Sequence, residues 1–185
     1  YVRTERRHDF SLEPKEETIL DAAKKAGKDV IGVGKISDIF AGKGIVRTTP
    51  NHGNRKNMEK VFEIAREEFD GICYINLVDF DMLYGHRRDI AGYTNALNEF
   101  DEQLGTLLAI MKPDDTLFIT ADHGCDPGYK GTDHTRECVP LLYYGPEKCM
   151  KRNLGVRESY ADIAATIAEL LKVPYVGAGK SMILD

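Results

Sequence analysis

The sequence predicts an α/β fold, a mostly parallel β-sheet sandwiched by helices. Three observations carry that prediction. Short apolar runs alternate with segments whose apolar residues recur at helical spacing. The runs 29–34 (DVIGVG), 71–80 (GICYINLVDF) and 116–120 (TLFIT) are apolar throughout, as in strands covered on both faces. No internal repeat and no low-complexity tract interrupts the alternation.

Each element has its own signal. Residues 14–26 (PKEETILDAAKKA) place Ile19, Leu20, Ala22, Ala23 and Ala26 on one helix face. Pro14 stands near the start of that helix and Gly27 just past its end. The strand 29–34 follows. Residues 37–56 carry glycines, Pro50 and charges, and read as an irregular loop able to line a site. Asn57 to Phe69 forms an amphipathic helix with Met58, Val61, Phe62, Ala65 and Phe69 inward. The run 71–80 is the strongest strand signal, and residues 89–111 read as a long helix closed by Lys112-Pro113-Asp114-Asp115. After the strand 116–120, VPLLYYG (139–145) forms another, with Pro140 near its start where a missing N–H matters least. Ser159 caps a last helix to Leu171, with Tyr160, Ile163, Ala164, Ile167 and Leu170 inward.

Composition narrows the function classes. The 185 residues include 25 Lys and Arg against 30 Asp and Glu, a net charge of -5. That balance offers no basic stripe for nucleic acid and no polybasic patch for a membrane surface. At 42% hydrophobic and 30% charged the chain is too apolar for disorder. No apolar run approaches the roughly 18 residues a membrane span needs, and there is no signal-peptide pattern. The four cysteines, Cys73, Cys125, Cys138 and Cys149, form no CxxC pair, so reduced thiols and a cytoplasmic location are expected. The chain opens Tyr1-Val2-Arg3 without an initiator Met, and a longer parent chain is the expectation.

Two polar clusters follow apolar strands, where α/β sheets gather their functional groups. One is Asp79-Phe80-Asp81-Met82-Leu83-Tyr84-Gly85-His86-Arg87-Arg88-Asp89. The other is Ala121-Asp122-His123-Gly124-Cys125-Asp126-Pro127, continued by Gly131-Thr132-Asp133-His134-Thr135-Arg136-Glu137. Three of the five histidines fall here, each with an aspartate close by. Mixed carboxylate and imidazole donors suit Mn²⁺, Zn²⁺ or Fe, whereas all-oxygen sites suit Mg²⁺ or Ca²⁺. Asp122 and His123 diverge on an extended chain but can share an ion if the strand breaks into a turn, which Gly124 permits. His134 can return to the same rim. Two ions about 3.5–4 Å apart would clamp the attacking and leaving oxygens of a phosphoryl group. A lone Asp–His pair is more often a surface hydrogen bond than a ligand set, but two clusters after two strands tip the balance towards metal. Cys125 reads as a packing residue near that site.

These motifs have a family likeness. FITADHGCDP followed by KGTDHTRECVPLL resembles the alkaline phosphatase superfamily of metalloenzymes, and within it the phosphopentomutase family. NLVDFDMLYGHRRD looks like the second metal-binding segment of that family, and RTERRHDF and VIGVGKISDIFAGKGI fit it too. The resemblance covers nearly the whole chain, as the C-terminal portion of such an enzyme: residues 1–12 as the tail of a cap domain and 13–185 as an incomplete alkaline phosphatase-like core.

The resemblance implies a two-manganese site, other divalent ions being able to substitute. Asp122 and His123 match the ligands of one ion, and Asp81, His86 and His134 those of the other. Asp79 rivals Asp81, and the family match favours Asp81. Lys35 and one arginine of the Arg6-Arg7 pair, Arg7 foremost, match phosphate-holding positions. The reaction implied interconverts (deoxy)ribose 1-phosphate and (deoxy)ribose 5-phosphate in nucleoside salvage through a phosphothreonine, primed by a sugar bisphosphate such as glucose 1,6-bisphosphate. The nucleophilic threonine and one more aspartate ligand belong to an N-terminal segment this chain lacks. Thr120, Thr132 and Thr135 do not match the nucleophile motif, and the last two are expected to shape the loop around His134. Expressed alone, such a chain is expected to be inactive. The alternatives are a cofactor-independent phosphoglycerate mutase, a related phosphatase or phosphodiesterase, or a non-catalytic metal-binding module.

Overall fold

The computed structural model describes residues 11–146 and 153–183. The chain divides into two compact units. Among the described residues the first comprises 11–52, 67–76 and 153–183, and the second 53–66 and 77–146.

The first unit is built on a three-stranded parallel sheet. Helix α1 (Ile19–Lys25) starts where Thr18 and Asp21 form a capping box. The Thr18 hydroxyl accepts the Asp21 N–H at 3.3 Å, and the Asp21 carboxylate accepts the Thr18 N–H at 2.8 Å. Two orphan donors of the first turn are thereby satisfied, so the helix begins five residues after Pro14 rather than beside it. Strand β1 (Asp29–Val33) is central, with Val30, Ile31 and Val33 buried. The short helix α2 (Ile36–Ile39) begins one residue before the stretch 37–56 expected to be irregular loop and runs into it, and strand β2 (Arg47–Thr49) lies within it. β2 has no apolar alternation to announce it; it exists because Ile31, Gly32 and Val33 of β1 pair with Arg47, Thr48 and Thr49. Strand β3 (Gly71–Ile75) pairs parallel on the other side of β1 and ends five residues before the expected Phe80. Leu20, Ala23 and Val30 form the core beneath, with Ile19, Phe40, Ile45 and Ile72 packed on it.

The same unit ends in a helix tied down by polar groups. This helix, labelled α5 after the two helices of the second unit, spans Ala161–Leu171 and packs against α1. Its buried Asp162 accepts from Arg157 at 2.6 and 2.7 Å and from the Lys180 backbone N–H at 2.9 Å. Thr166, fully buried, accepts the Met182 N–H at 3.0 Å. The strap 180–182 is thus held by hydrogen bonds to two helix side chains.

The second unit holds helix α3 (Asn54–Arg66), a π-helical turn (Phe80–Gly85), helix α4 (Ile90–Ile110) and strands β4 (Leu117–Thr120) and β5 (Leu141–Tyr144). α4 packs against α3 and against the π turn. β4 and β5 run antiparallel, Leu117 facing Tyr144 and Thr120 facing Leu141, the exception in a fold expected to be mostly parallel. The reason lies in the intervening chain. An antiparallel bridge between Gly124 and Thr135 continues the pairing, which makes 121–140 the end of a long hairpin rather than a crossover. Among the described residues no helix is long and apolar enough to cross a membrane.

Two expectations follow for the first unit. Gly27 and Gly44 share a φ of 76°, but a Cβ on Gly27 meets open space while one on Gly44 lies 2.8 Å from the Asp21 nitrogen and from Leu20 atoms. Gly27→Ala should cost about 1–2 kcal/mol for the left-handed backbone alone, and Gly44→Ala about 1–3 kcal/mol more for the overlap; urea unfolding of both variants measures the difference. The second concerns pH. The Lys180 N–H first, and Arg157 next, hold the Asp162 carboxyl below its ordinary value of 3.8. A depressed carboxylate stabilises the fold above its unfolded pKa, and that contribution disappears as pH falls through the folded value. Asp162→Asn should therefore destabilise at pH 7 by about 1–3 kcal/mol, and the gap to wild type should close below the ordinary carboxylate range in melts run against pH.

Candidate metal centre

The first cluster is shaped by a change of backbone geometry that periodicity cannot reveal. Asp79, at the entry to the π turn, accepts the Asn54 N–H at 2.7 Å and donates its own N–H to Asn54 Oδ1 at 3.0 Å. Asp79 is thereby spent on holding the start of α3, which explains why α3 begins three residues earlier than its apolar pattern suggests. The next residues form the π turn, in which the His86 N–H donates to the Asp81 carbonyl at 3.0 Å. Residues five apart on an α-helix point about 140° away from each other. The wider i→i+5 closure of the π turn brings Asp81 and His86 to one side. Neither Asp79 nor Asp81 lies on a strand.

The second cluster brings His134 to the same place. Asp81 Oδ1 stands 3.2 Å from His86 Nε2 and 3.2 Å from His134 Nε2. One donor atom from each of the three residues lies within 4.8 Å of the others. The His123 ring stacks on His134 with centroids 3.7 Å apart and planes 22° apart. Its Nε2 lies 3.5 Å from Asp122 Oδ2. Neighbouring Asp122 and His123 turn to a common space because β4 has already ended at Thr120.

Hydrogen bonds fix which nitrogen of each ring is available. His86 Nδ1 is bonded to the Thr132 carbonyl and His123 Nδ1 to the Gly124 carbonyl at 3.1 Å. A carbonyl can only accept, so Nδ1 carries the proton in both rings, and in the neutral form Nε2 presents a lone pair. This is the arrangement by which a metal-ligating histidine is oriented. Two imidazoles and a carboxylate facing inward are a donor set that fits a divalent transition ion.

The surroundings hold the donors in place. The Cys125 thiol donates to Asp81 Oδ1 at 3.5 Å. Burial, then the Asp81 charge, pushes that thiol up to about 11, so it remains an S–H donor near neutral pH. A Cβ on Gly85 would overlap Cys125 Sγ and stand 2.9 Å from the Phe80 carbonyl, so this close approach requires glycine. Buried Thr135 accepts the Asp126 N–H at 2.7 Å, donates to Glu137, and sends its own N–H to the Gly124 carbonyl at 3.0 Å. Thr132 contributes its carbonyl, and exposed Thr120 lies at the end of β4. Arg88, which the sequence reading passed over, donates to the carbonyls of Gly131, Asp126 and Asp133. Its only sequence signal is its place in GHRRD, since the carbonyls it meets lie some forty residues on. Lys35 precedes α2 in the first unit, and Arg7 falls outside the described residues.

A sequence-family comparison decides the relationship. Residues 5–175 match the family model described as "Metalloenzyme: Metalloenzyme superfamily". The chain belongs to the metalloenzyme superfamily. Among curated relatives of this chain, a protein named phosphopentomutase from Limosilactobacillus reuteri (strain DSM 20016) is 54% identical over 174 residues, 94% of this chain and 44% of the relative. One of the same name from Acetivibrio thermocellus is 51% identical over 183 residues, covering 99% of this chain and 47% of the relative. Another from Caldanaerobacter subterraneus is 51% identical over 185 residues, 100% of this chain and 47% of the relative. The chain spans a little under half the length of these relatives.

The contact at Gly85 can be tested by a double mutant. Gly85→Ala should destabilise by about 1–3 kcal/mol through overpacking. Adding Cys125→Ala removes the sulfur and should restore part of that loss, the Phe80 carbonyl remaining close. Thermal unfolding of the two single variants and the double variant measures the coupling.

Proposed function

We propose that this metalloenzyme serves phosphopentomutase-type phosphoryl transfer, interconverting (deoxy)ribose 1-phosphate and (deoxy)ribose 5-phosphate. The observation that carries the reading is the convergence of Asp81 Oδ1 with the Nε2 atoms of His86 and His134. The identity of about half its residues to proteins named phosphopentomutase supports this choice of substrate class. In this reading Asp81, His86 and His134 hold one divalent ion and Asp122 and His123 contribute to a second, manganese suiting the mixed imidazole and carboxylate donors. When bound, such ions neutralise charge on the phosphoryl oxygens and favour the ionised form of an attacking hydroxyl.

The chain's own residues do the positioning. The Thr132 carbonyl holds the Nδ1 proton of His86, which keeps Nε2 turned inward, and the Gly124 carbonyl does the same for His123. Cys125 fixes the Asp81 oxygen that both rings approach. Lys35 and Arg7 are assigned to the substrate phosphate and residues 1–12 to the tail of a cap domain. The phosphoryl-carrying threonine belongs to a part of the protein outside these 185 residues, where a sugar bisphosphate primes it, and the enzyme works in the cytoplasm.

The test is ribose 1-phosphate conversion by the full-length protein that carries this sequence. Chelation should abolish turnover and Mn²⁺ should restore it. His134→Ala should lower turnover by more than the about 10–100-fold typical of removing a group that merely supports a ligand. Turnover indifferent to both treatments would overturn the reading.

A further inference from the structure

We propose that Arg88 is a positioning residue for the metal centre: it sets the backbone of residues 126–133 so that His134 reaches Asp81 and His86. The inference rests on the reading of that centre as metal-binding, and three observations lead to it. The guanidinium spends Nε, Nη1 and Nη2 on three different carbonyls, those of Gly131, Asp126 and Asp133, the last two at 2.6 Å. Two residues earlier, His86 takes the Thr132 carbonyl that lies between them. Carbonyls 131, 132 and 133, immediately before His134, are therefore all captured by one short stretch of chain. Arg88 itself sits at a φ of 55°, a left-handed conformation that L-residues with a Cβ rarely adopt. That backbone lets residues 86 and 88 present both side chains to the same loop.

Chemistry explains why the residue is arginine. Three carbonyls along a turning loop need donors with fixed, diverging directions, and a planar guanidinium has them. The lysine ammonium is a compact point donor on a flexible stem and cannot span the three. Arg87 beside it is exposed and serves as a control of the same charge at the same turn. Arg88 touches no donor atom of the centre, so its effect must pass through the placement of His134.

Metal affinity tests this directly. The full-length protein, stripped of metal, is titrated with Mn²⁺ and free ion is followed by electron paramagnetic resonance, well below the melting temperature. Arg88→Ala and Arg88→Lys should each weaken binding by about tenfold or more, as loss of an outer supporting group does, and Arg87→Ala should leave it unchanged. Adding Arg88→Lys to His134→Ala should cause no further loss, because the arginine acts through that ring; a general structural role would add its own penalty. Hydrogen exchange of amides 126–133 should quicken in both Arg88 variants. Should Arg88→Ala fail to fold, Arg88→Lys decides alone. Wild-type Mn²⁺ affinity in a folded Arg88→Lys protein, with His134→Ala impaired, overturns the role of Arg88 only. Wild-type affinity in His134→Ala overturns the metal-centre reading beneath it.

Discussion

Two imidazole nitrogens held 3.2 Å from a single carboxylate oxygen form an arrangement that calls for positive charge between them. With its Nδ1 proton given to the Thr132 carbonyl, neutral His86 offers only a lone pair towards Asp81. Lone pairs facing a carboxylate repel unless a proton or a cation intervenes, and the repulsion is stronger the less water lies between them. A proton on one ring satisfies one approach at a time. A divalent cation would satisfy all three donors together, which is why this set of groups fits a metal ion. The neighbouring groups make sense as devices that hold those donors close before any cation arrives.

Those devices are mostly backbone. The π turn brings residues 81 and 86 together by adding a residue to the helical closure. Gly85 lets Cys125 come close, and the thiol, kept protonated, donates to the oxygen on which both rings converge. The hairpin end is shaped from inside by Thr135 and from outside by Arg88 and His86. Apart from the π turn itself, each tie runs between the first polar cluster and the second, or within the second. Segments some forty residues apart in sequence are thus fixed to one another through hydrogen bonds to carbonyls, whose positions do not depend on side-chain rotamers.

This explains what the sequence could and could not disclose. The apolar runs DVIGV and GICYI announce strands, although only the first is buried while GICYI is half-covered with Tyr74 exposed, and the long helix after residue 89 announces itself by its length. β2 is invisible because Arg47-Thr48-Thr49 owes its conformation to pairing with β1 rather than to its own residues. The start of α1 follows a capping box that spans the four residues Thr18 to Asp21, and proline at 14 is a poorer guide. Asp79 and Asp81 are alike in sequence; only the tie between Asp79 and Asn54 separates a helix-holding carboxylate from one facing two histidines. His86, His123 and His134 were legible because imidazole is scarce and clustered, whereas Arg88 was hidden because its partners are main-chain carbonyls that carry no letter in the sequence.

The second unit has an energetic reason to depend on these ties. Its sheet is a two-stranded antiparallel pair, with Leu142 and Tyr144 of β5 exposed, and such a pair is marginal by itself in water. Of the α4 side chains only Leu107 is buried among the described residues, so apolar packing is concentrated on the α3 side at Met58, Val61 and Ile64. The long hairpin end between β4 and β5 therefore draws its order from polar contacts. A cation bound only by the folded form adds RT ln(1 + [L]/Kd), about 2.7 kcal/mol when its free concentration is 100 times Kd. Against a total stability of about 5–15 kcal/mol for a typical domain, that is a substantial share. Metal binding and the order of residues 121–140 then become one equilibrium viewed from two ends. A group such as Arg88, which raises the population of the binding-ready loop, strengthens the site without ever meeting the ion.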